Sequence, residues 1–140
     1  MLGKSITELS IGENGHFSKT VTETDVVLFA GISGDMQAVH VNDEEAKKMF
    51  FGGRVVHGML VAGFISAALG TSCPGEGSIY LGQELKFTAP VKIGDTITAT
   101  VEVCEIFIEK NIVKLSTICT NQKGETVITG TATIMPPKKV

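Results

Sequence analysis

The sequence predicts an α+β fold in which one long antiparallel β-sheet wraps around a single buried α-helix. The first observation is the run from Gly58 to Leu69, in which Ser66 is the one polar residue. A helix that is apolar all round has to be buried on every side. The second is the alternation of apolar and polar residues through most of the chain after residue 82, which is typical of strands. The third is order: the helix precedes most of the strands, which excludes an alternating β-α-β arrangement.

Length and composition set the class of protein. With 140 residues, 43% of them apolar, the chain fits one globular domain, residues 1–140, that buries roughly 70% of its unfolded surface. The net charge is −3 and no basic cluster occurs beyond Lys138 and Lys139, which argues against a nucleic-acid partner. Three widely spaced cysteines without a C-x-x-C motif predict neither a disulfide framework nor a zinc ribbon.

The sequence also predicts a cytoplasmic protein that is not inserted in a membrane. The first residues, MLGKSITELSIGENG, lack the apolar region of a secretory signal. The most apolar segment, Met59 to Leu69, is shorter than the ~20 residues that cross a bilayer as a helix. The unpaired cysteines suit a reducing compartment.

Three elements are expected before the apolar helix. Residues 16–22 alternate weakly and predict a first strand. Thr22 is expected to cap a helix through VVLFAGI, because an acid, Asp25, follows three residues later. A short helix is expected from Asn42 or Asp43 through EEAKKM, with its acids at the positive end of the helix dipole.

The apolar helix and four strands complete the prediction. The helix is expected to run from His57 to Gly70, since glycine is typical of the residue that follows a helix. After it, four segments alternate, and short turns at EKN and NQKG separate the last three. The apolar face of the second segment consists of Ile97, Ala99, Val101, Val103 and Phe107. The four segments are residues 83–90, 95–107, 112–120 and 125–135.

The stretch SGDMQAVHVNDEEA places an acid, Asp35, five residues before a histidine, His40. On an ideal helix five residues span about 500°, which leaves the two side chains roughly 140° apart. They meet only if the backbone leaves the helix between them, which Gly31 and Gly34 favour. A carboxylate and a histidine could then hold one water for hydration or hydrolysis. The alternative is that Asp35 caps a turn and His40 is a hydrogen-bonded, half-buried side chain.

The pair His57-Gly58 marks the start of the apolar helix, whose first N–H groups have no partner within it. Because Gly58 has no side chain, a carbonyl oxygen could approach its N–H, where the helix dipole favours negative charge, and form an oxyanion site. The alternative is that the glycine only lets the helix pack closely on the sheet. The histidines at positions 16, 40 and 57 lack a metal-ligand spacing, so no metal is predicted.

Three ordered blocks of the sequence resemble the MaoC-like (R)-specific enoyl-CoA hydratases. They are FAGISGDMQAVHVNDEEA, GGRVVHGMLVAGFISAALG and GSIYLGQELKFTAPVKIGD, and the similarity runs from about Gly12 to Ile134. The resemblance implies a hot dog fold, a long antiparallel sheet wrapped around a central helix, paired as a homodimer or as a larger assembly of dimers. It agrees with the architecture predicted from the apolar helix and the alternating strands.

By resemblance, Asp35 and His40 correspond to the family's catalytic acid and histidine, and Gly58 to the glycine whose N–H meets the thioester oxygen. The implied activity is that of a hydro-lyase: reversible syn hydration of a short-chain trans-2-enoyl-CoA to an (R)-3-hydroxyacyl-CoA. The substrate is a coenzyme A thioester, and no metal or redox cofactor is implied. Arg54 and Lys86 are candidates for contacts with the coenzyme A phosphates.

The chain departs from the family pattern in one place. The family usually reads G-D-x-N-P-apolar-H, whereas this sequence reads GDMQAVH, with Gln37 and Ala38 in place of asparagine and proline. Loss of the proline loosens the loop between Asp35 and His40. Any hydrogen bond made by the usual asparagine has to be re-formed by the longer amide of Gln37 or is lost.

Two other functions on the same fold stay open. One is an acyl-CoA thioesterase; many hot dog thioesterases carry a catalytic carboxylate on the central helix, and no acid lies between Gly58 and Leu69. The other is a non-catalytic subunit that binds acyl chains. Such a subunit could lose Asp35 or His40 without harm, whereas this chain has both.

Overall fold

Five strands and four helices make up the fold in the computed structural model, which describes residues 1–139. The strands pair in one antiparallel sheet, and the second strand along the chain lies at the edge opposite the first. Two 3-10 turns span Ile6–Glu8 and Ile108–Lys110. The strands are β1 (Asn14–Thr20), β2 (Ile79–Phe87), β3 (Thr96–Phe107), β4 (Ile112–Thr120) and β5 (Thr126–Met135), in the spatial order β1-β3-β4-β5-β2, and the helices are α1 (Glu23–Ser33), α2 (Ala38–Val41), α3 (Asp43–Ala46) and α4 (Gly58–Thr71).

The helix α4 lies against the inner face of the sheet, as the apolar run predicts. Its apolar side chains join one continuous core with alternate residues of β3, β4 and β5. Alternation places these strand residues on one face of the sheet. The α+β prediction is therefore confirmed. The buried side chains of α4 are Leu60, Val61, Ile65, Ala68 and Leu69.

One side of α4 is open, so the expectation that this helix is buried on every side is wrong for a single chain. Met59 is 58% exposed, and Gly63 and Ser66 are exposed as well. These residues are four and three positions apart and share one face of the helix. The sheet covers only the opposite face. The helix α4 therefore carries apolar residues that a single chain leaves exposed.

The helix α1 begins where the sequence predicts. The Thr22 side chain accepts a hydrogen bond from the Asp25 N–H at 3.1 Å, and the Asp25 carboxylate accepts one from the Thr22 N–H at 2.9 Å. This reciprocal capping satisfies two N–H groups at the helix start. The helix ends at Gly34, which has a φ of 84° and donates its N–H to the Ala30 carbonyl at 2.9 Å.

Two helix ends differ from the prediction. Gly70 lies inside α4, because Thr71 donates its hydroxyl to the Ala67 carbonyl and Ser72 donates its N–H to the Ala68 carbonyl. The helix α3 ends at Ala46, after which the chain continues in turns with shorter-range hydrogen bonds. None of the helices formed by residues 1–139 is long and apolar enough to cross a membrane.

The expected apolar face of β3 is correct for four residues and wrong for Phe107, which is 37% exposed. The pairing of β3 with β4 shifts by one residue between Val103 and Glu105. One extra residue in a strand moves every later side chain to the other face. Ile106 packs on the core instead of Phe107.

Candidate active site

A cavity of about 640 Å³ opens beside the start of α4. The loop after α1, the helix α2, the start of α4 and the end of β2 surround it. Its wall is mainly apolar, which suits a ligand with an acyl chain. Among the lining residues are three of the sequence-predicted site residues, Asp35, His40 and Gly58, together with Phe29, Ser33, Phe51, His57, Phe87 and Ile128.

Asp35 and His40 meet at this cavity because the backbone leaves the helix between them. The left-handed conformation of Gly34 ends α1, and α2 begins only at Ala38. The Oδ2 atom of Asp35 lies 3.7 Å from Nε2 of His40. This separation is too long for a direct hydrogen bond and suits a water that contacts both atoms.

The tautomer of His40 follows from its second nitrogen. The Nδ1 atom of this buried ring lies 2.7 Å from the Val55 carbonyl oxygen. Since a carbonyl only accepts, Nδ1 carries the hydrogen and donates it. In the neutral ring the lone pair is then on Nε2, which faces Asp35. His40 therefore presents a proton acceptor to the cavity.

Gln37, which stands where the family usually has asparagine, forms hydrogen bonds to Asp35. Its side-chain amide donates to Oδ1 of Asp35 at 3.0 Å, and its backbone N–H donates to the same oxygen at 3.4 Å. The side-chain hydrogen bond is the main cause that lowers the pKa of Asp35 below its ordinary 3.8. Ala38 is the first residue of α2, a position where the N–H needs no helical partner and where proline is often found.

Replacement of Gln37 by methionine is expected to raise the pKa of Asp35 toward 3.8, because the variant keeps the length of the side chain and loses its donor. A carbon-detected NMR titration of the aspartate carboxyl groups measures this directly. Gln37→Asn is the matched variant that keeps an amide. An Asp35 pKa that is the same in the methionine variant and in the wild type would contradict the assignment of this hydrogen bond.

His57 belongs to the same cluster, although the sequence analysis used it only to mark the start of α4. The side chain is 2% exposed. Its Nε2 atom lies 2.9 Å from the Asp35 carbonyl oxygen. Its ring stacks on His40, with 3.8 Å between ring centroids and 23° between planes. One feature of the sequence could have pointed to His57: it lies, like His40, in a block that resembles the family, whereas His16 does not.

Gly58 is the first residue of α4, so its N–H has no acceptor within the helix. A Cβ atom at this position would lie 2.6 Å from the Phe87 ring, so a larger residue would fit only if that ring moved. Both readings of Gly58 therefore agree with its surroundings. Its proposed contact with a thioester oxygen stays a prediction.

Comparison with known proteins adds the family. A profile described as "MaoC like domain" matches residues 8–127. The chain belongs to the MaoC-like domain family. An (R)-specific enoyl-CoA hydratase of Rhodospirillum rubrum is 49% identical over 132 residues, which cover 94% of this chain and 91% of that protein. A 3-hydroxybutyryl-CoA dehydratase of Methylorubrum extorquens is 40% identical over 132 residues, which cover 94% of this chain and 83% of that protein.

The solved structures agree with the hot dog fold expected of this MaoC-like chain. The R-hydratase PhaJ1 from Pseudomonas aeruginosa, in its unliganded form, superimposes with a TM-score of 0.92 at 42% sequence identity. The match covers 98% of this chain and 88% of that one. The single antiparallel sheet around α4 is thus confirmed as a hot dog domain.

The two basic residues considered for coenzyme A contacts lie in different settings in this MaoC-like domain. The Arg54 side chain is 12% exposed. It donates to the His40 carbonyl at 2.6 Å and pairs with Glu23 at 2.9 Å and Asp43 at 3.6 Å. These internal partners argue for a role of Arg54 in joining α1, α2 and α3. Lys86 is exposed on β2, on the opposite face from Phe87, and its contact with coenzyme A stays a prediction.

The cluster does not fit a shared metal ion. Asp35, His40 and His57 each offer a donor atom, and these three atoms lie within 4.8 Å of one another. An imidazole lone pair lies in the plane of its ring, so two stacked rings direct their lone pairs side by side. A zinc ion needs both nitrogens at about 2.0–2.1 Å from one point. The stacking of His40 on His57 opposes that convergence.

Proposed function

We propose that this MaoC-like chain is an (R)-specific enoyl-CoA hydratase, a hydro-lyase that adds water reversibly to a trans-2-enoyl-CoA. The observation that carries the proposal is the 3.7 Å separation of Asp35 Oδ2 and His40 Nε2 at the wall of an apolar cavity. The relatives named hydratase and dehydratase, 49% and 40% identical, support the same reaction class.

The chemistry follows from the positions of the two side chains. A water held between them loses one proton to Nε2 of His40 as its oxygen bonds to C3 of the enoyl group. The negative charge that develops on the thioester oxygen is stabilised by the N–H of Gly58 at the helix start. The pair then returns a proton to C2, so the elements of one water are added. Because Asp35 and His40 act from the same side of the bound enoyl group, both additions reach the same face of the double bond, which is syn addition.

The proposed substrate is a short-chain coenzyme A thioester. The name of one relative, 3-hydroxybutyryl-CoA dehydratase, specifies a four-carbon acyl group. Phe29, Phe51 and Phe87 contribute bulky apolar side chains to the cavity wall. Hydration transfers water and no electrons, so the proposal requires no redox cofactor.

The cytoplasm is the proposed location. The three cysteines, Cys73, Cys104 and Cys119, are free thiols. Unpaired cysteines are typical of reducing compartments.

Incubation of the purified protein with crotonyl-CoA tests the proposal. The expected result is loss of the conjugated enoyl absorbance and accumulation of the (R)-3-hydroxy thioester, with slower turnover of longer enoyl chains. Release of free coenzyme A would instead indicate a thioesterase. A folded protein that leaves enoyl-CoA of several chain lengths unchanged would indicate the acyl-binding subunit.

The proposed enzyme is a homodimer. The edge strand β2 carries exposed apolar side chains at Ile79 and Leu81, and Met59 is exposed on the open side of α4. Apolar side chains on an unpaired sheet edge favour association with a second copy.

Light scattering is expected to give twice the chain mass of 14.8 kDa. Leu81→Lys is expected to shift the protein toward monomer, because it places a charge among these apolar residues, whereas Glu109→Lys on the exposed 3-10 turn between β3 and β4 is the control. A monomeric wild type at assay concentration would contradict the dimer.

A further inference from the structure

The geometry points to His57 as a positioning residue that holds both members of the candidate pair, Asp35 by a hydrogen bond and His40 by stacking. The inference rests on the proposed hydratase function and extends it to a residue that does not reach the reacting atoms. His57 is the last residue before α4 and is almost completely buried. A buried polar side chain normally uses its hydrogen-bonding atoms. The surroundings of the two ring nitrogens therefore show what His57 does.

The first constraint acts on Asp35. Nε2 of His57 lies 2.9 Å from the Asp35 carbonyl oxygen, which can only accept, so Nε2 carries the hydrogen. Asp35 lies in the short segment between Gly34 and α2, and its other hydrogen bonds are local: its N–H donates to Ser33 Oγ, and Gln37 donates to its carboxylate. The bond connects this segment to the rigid start of α4, 22 residues further along the chain. His57 therefore fixes the backbone from which the carboxylate projects.

The second constraint acts on His40. The hydrogen bond from Nδ1 to the Val55 carbonyl fixes one point of the His40 ring and leaves the ring free to tilt about that point. The His57 ring lies 3.8 Å away and nearly parallel, and Phe29 contacts His57 at 4.8 Å between centroids with 57° between the ring planes. The stacked His57 ring thus sets the plane of His40 and directs Nε2 toward Asp35.

The second nitrogen of His57 indicates which tautomer the ring adopts. Nδ1 of His57 is buried and has no hydrogen-bond partner within residues 1–139. A hydrogen on Nδ1 would be buried without an acceptor, whereas a hydrogen on Nε2 is donated to the Asp35 carbonyl, so the tautomer with its hydrogen on Nε2 is favoured.

The charged groups around this stack are few. The Asp35 carboxylate faces His40 from the loop after α1. Arg54 approaches from the chain before α4, bonds to the His40 carbonyl, and is neutralised by Glu23 and Asp43. The Asp35 carboxylate is therefore the group that balances the proton transferred between water and His40.

Two substitutions separate the two constraints. His57→Phe keeps a flat ring against His40 and removes the donor to Asp35, whereas His57→Gln keeps an amide donor and removes the ring. We expect kcat for crotonyl-CoA to fall by ~10- to 10²-fold in each variant, with KM changed by less than about threefold. His16→Gln replaces an exposed histidine on β1 and is the matched control. A melting temperature for each variant separates positioning from loss of fold.

The tautomer of His57 is a second test, independent of turnover. Long-range ¹H–¹⁵N NMR of the wild type is expected to show the hydrogen of His57 on Nε2 and that of His40 on Nδ1, with signals assigned by the single variants. An Nδ1–H tautomer for His57, or wild-type kcat in both folded His57 variants, would overturn the inference while leaving the hydratase proposal intact. Absence of hydration by the wild type, with the expected tautomers present, would overturn the hydratase proposal instead.

Discussion

Replacement of His40 by alanine is expected to lower the rate of crotonyl-CoA hydration by ~10²-fold or more, the usual contribution of a positioned acid or base. The imidazole presents the Nε2 lone pair toward Asp35 because Nδ1 is occupied by the Val55 carbonyl. Alanine removes the group that accepts the proton from water and leaves the rest of the cavity wall in place. Steady-state kinetics on variants of verified fold measure the loss.

A matched control is needed because His40 is also a buried residue with a structural hydrogen bond. His16→Ala changes an exposed histidine on β1 and is expected to leave the rate unchanged. Circular dichroism and thermal melting then show whether the His40 variant is folded at the assay temperature. A folded His40→Ala protein with the wild-type rate would remove this residue from the mechanism.

Asp35→Asn is the second variant with a large expected effect, again ~10²-fold or more in hydration rate. The amide has nearly the shape of the carboxylate and can still accept the hydrogen bond from Gln37. It lacks the negative charge that balances a protonated His40 and cannot return a proton to the substrate. The expected loss is in kcat, with KM little changed. Asp35→Glu, which keeps the charge and displaces it, tests whether the position of the carboxylate matters as well.

Asp35→Asn is also expected to change the stability of the protein in a way that depends on pH. Because the pKa of Asp35 is lowered in the folded state, its ionised form contributes stability that is fully present above the ordinary pKa and is lost as the pH falls through the lowered value. The difference in unfolding free energy between wild type and Asp35→Asn is therefore expected to shrink as the pH falls below 3.8. Urea unfolding at neutral and acidic pH measures it. A difference that does not vary with pH would contradict the lowered pKa.

Local signals in the sequence were sufficient for most of the fold. The start of α1 was predictable because Thr22 and Asp25 cap it through contacts three residues apart. The strands were predictable because alternation has a period of two residues. The prediction failed for Phe107, where an irregularity in the pairing of β3 with β4 reverses the faces. A shift of this kind is decided by the partner strand, so alternation within β3 alone carries no trace of it.

The candidate site divides in the same way. The sequence by itself determined the hot dog fold, the presence of Asp35 and His40 on either side of a helix break, and the glycine at the start of α4. The bond from Gln37 to Asp35 is local, two residues apart, whereas only the tertiary structure decided that Arg54 is held by partners within the chain and that His57 stacks on His40. The physical reason is the separation along the chain: the bond from His40 to Val55 spans 15 residues and that from His57 to Asp35 spans 22. Such contacts depend on how helices pack around the cavity, which no local periodicity specifies.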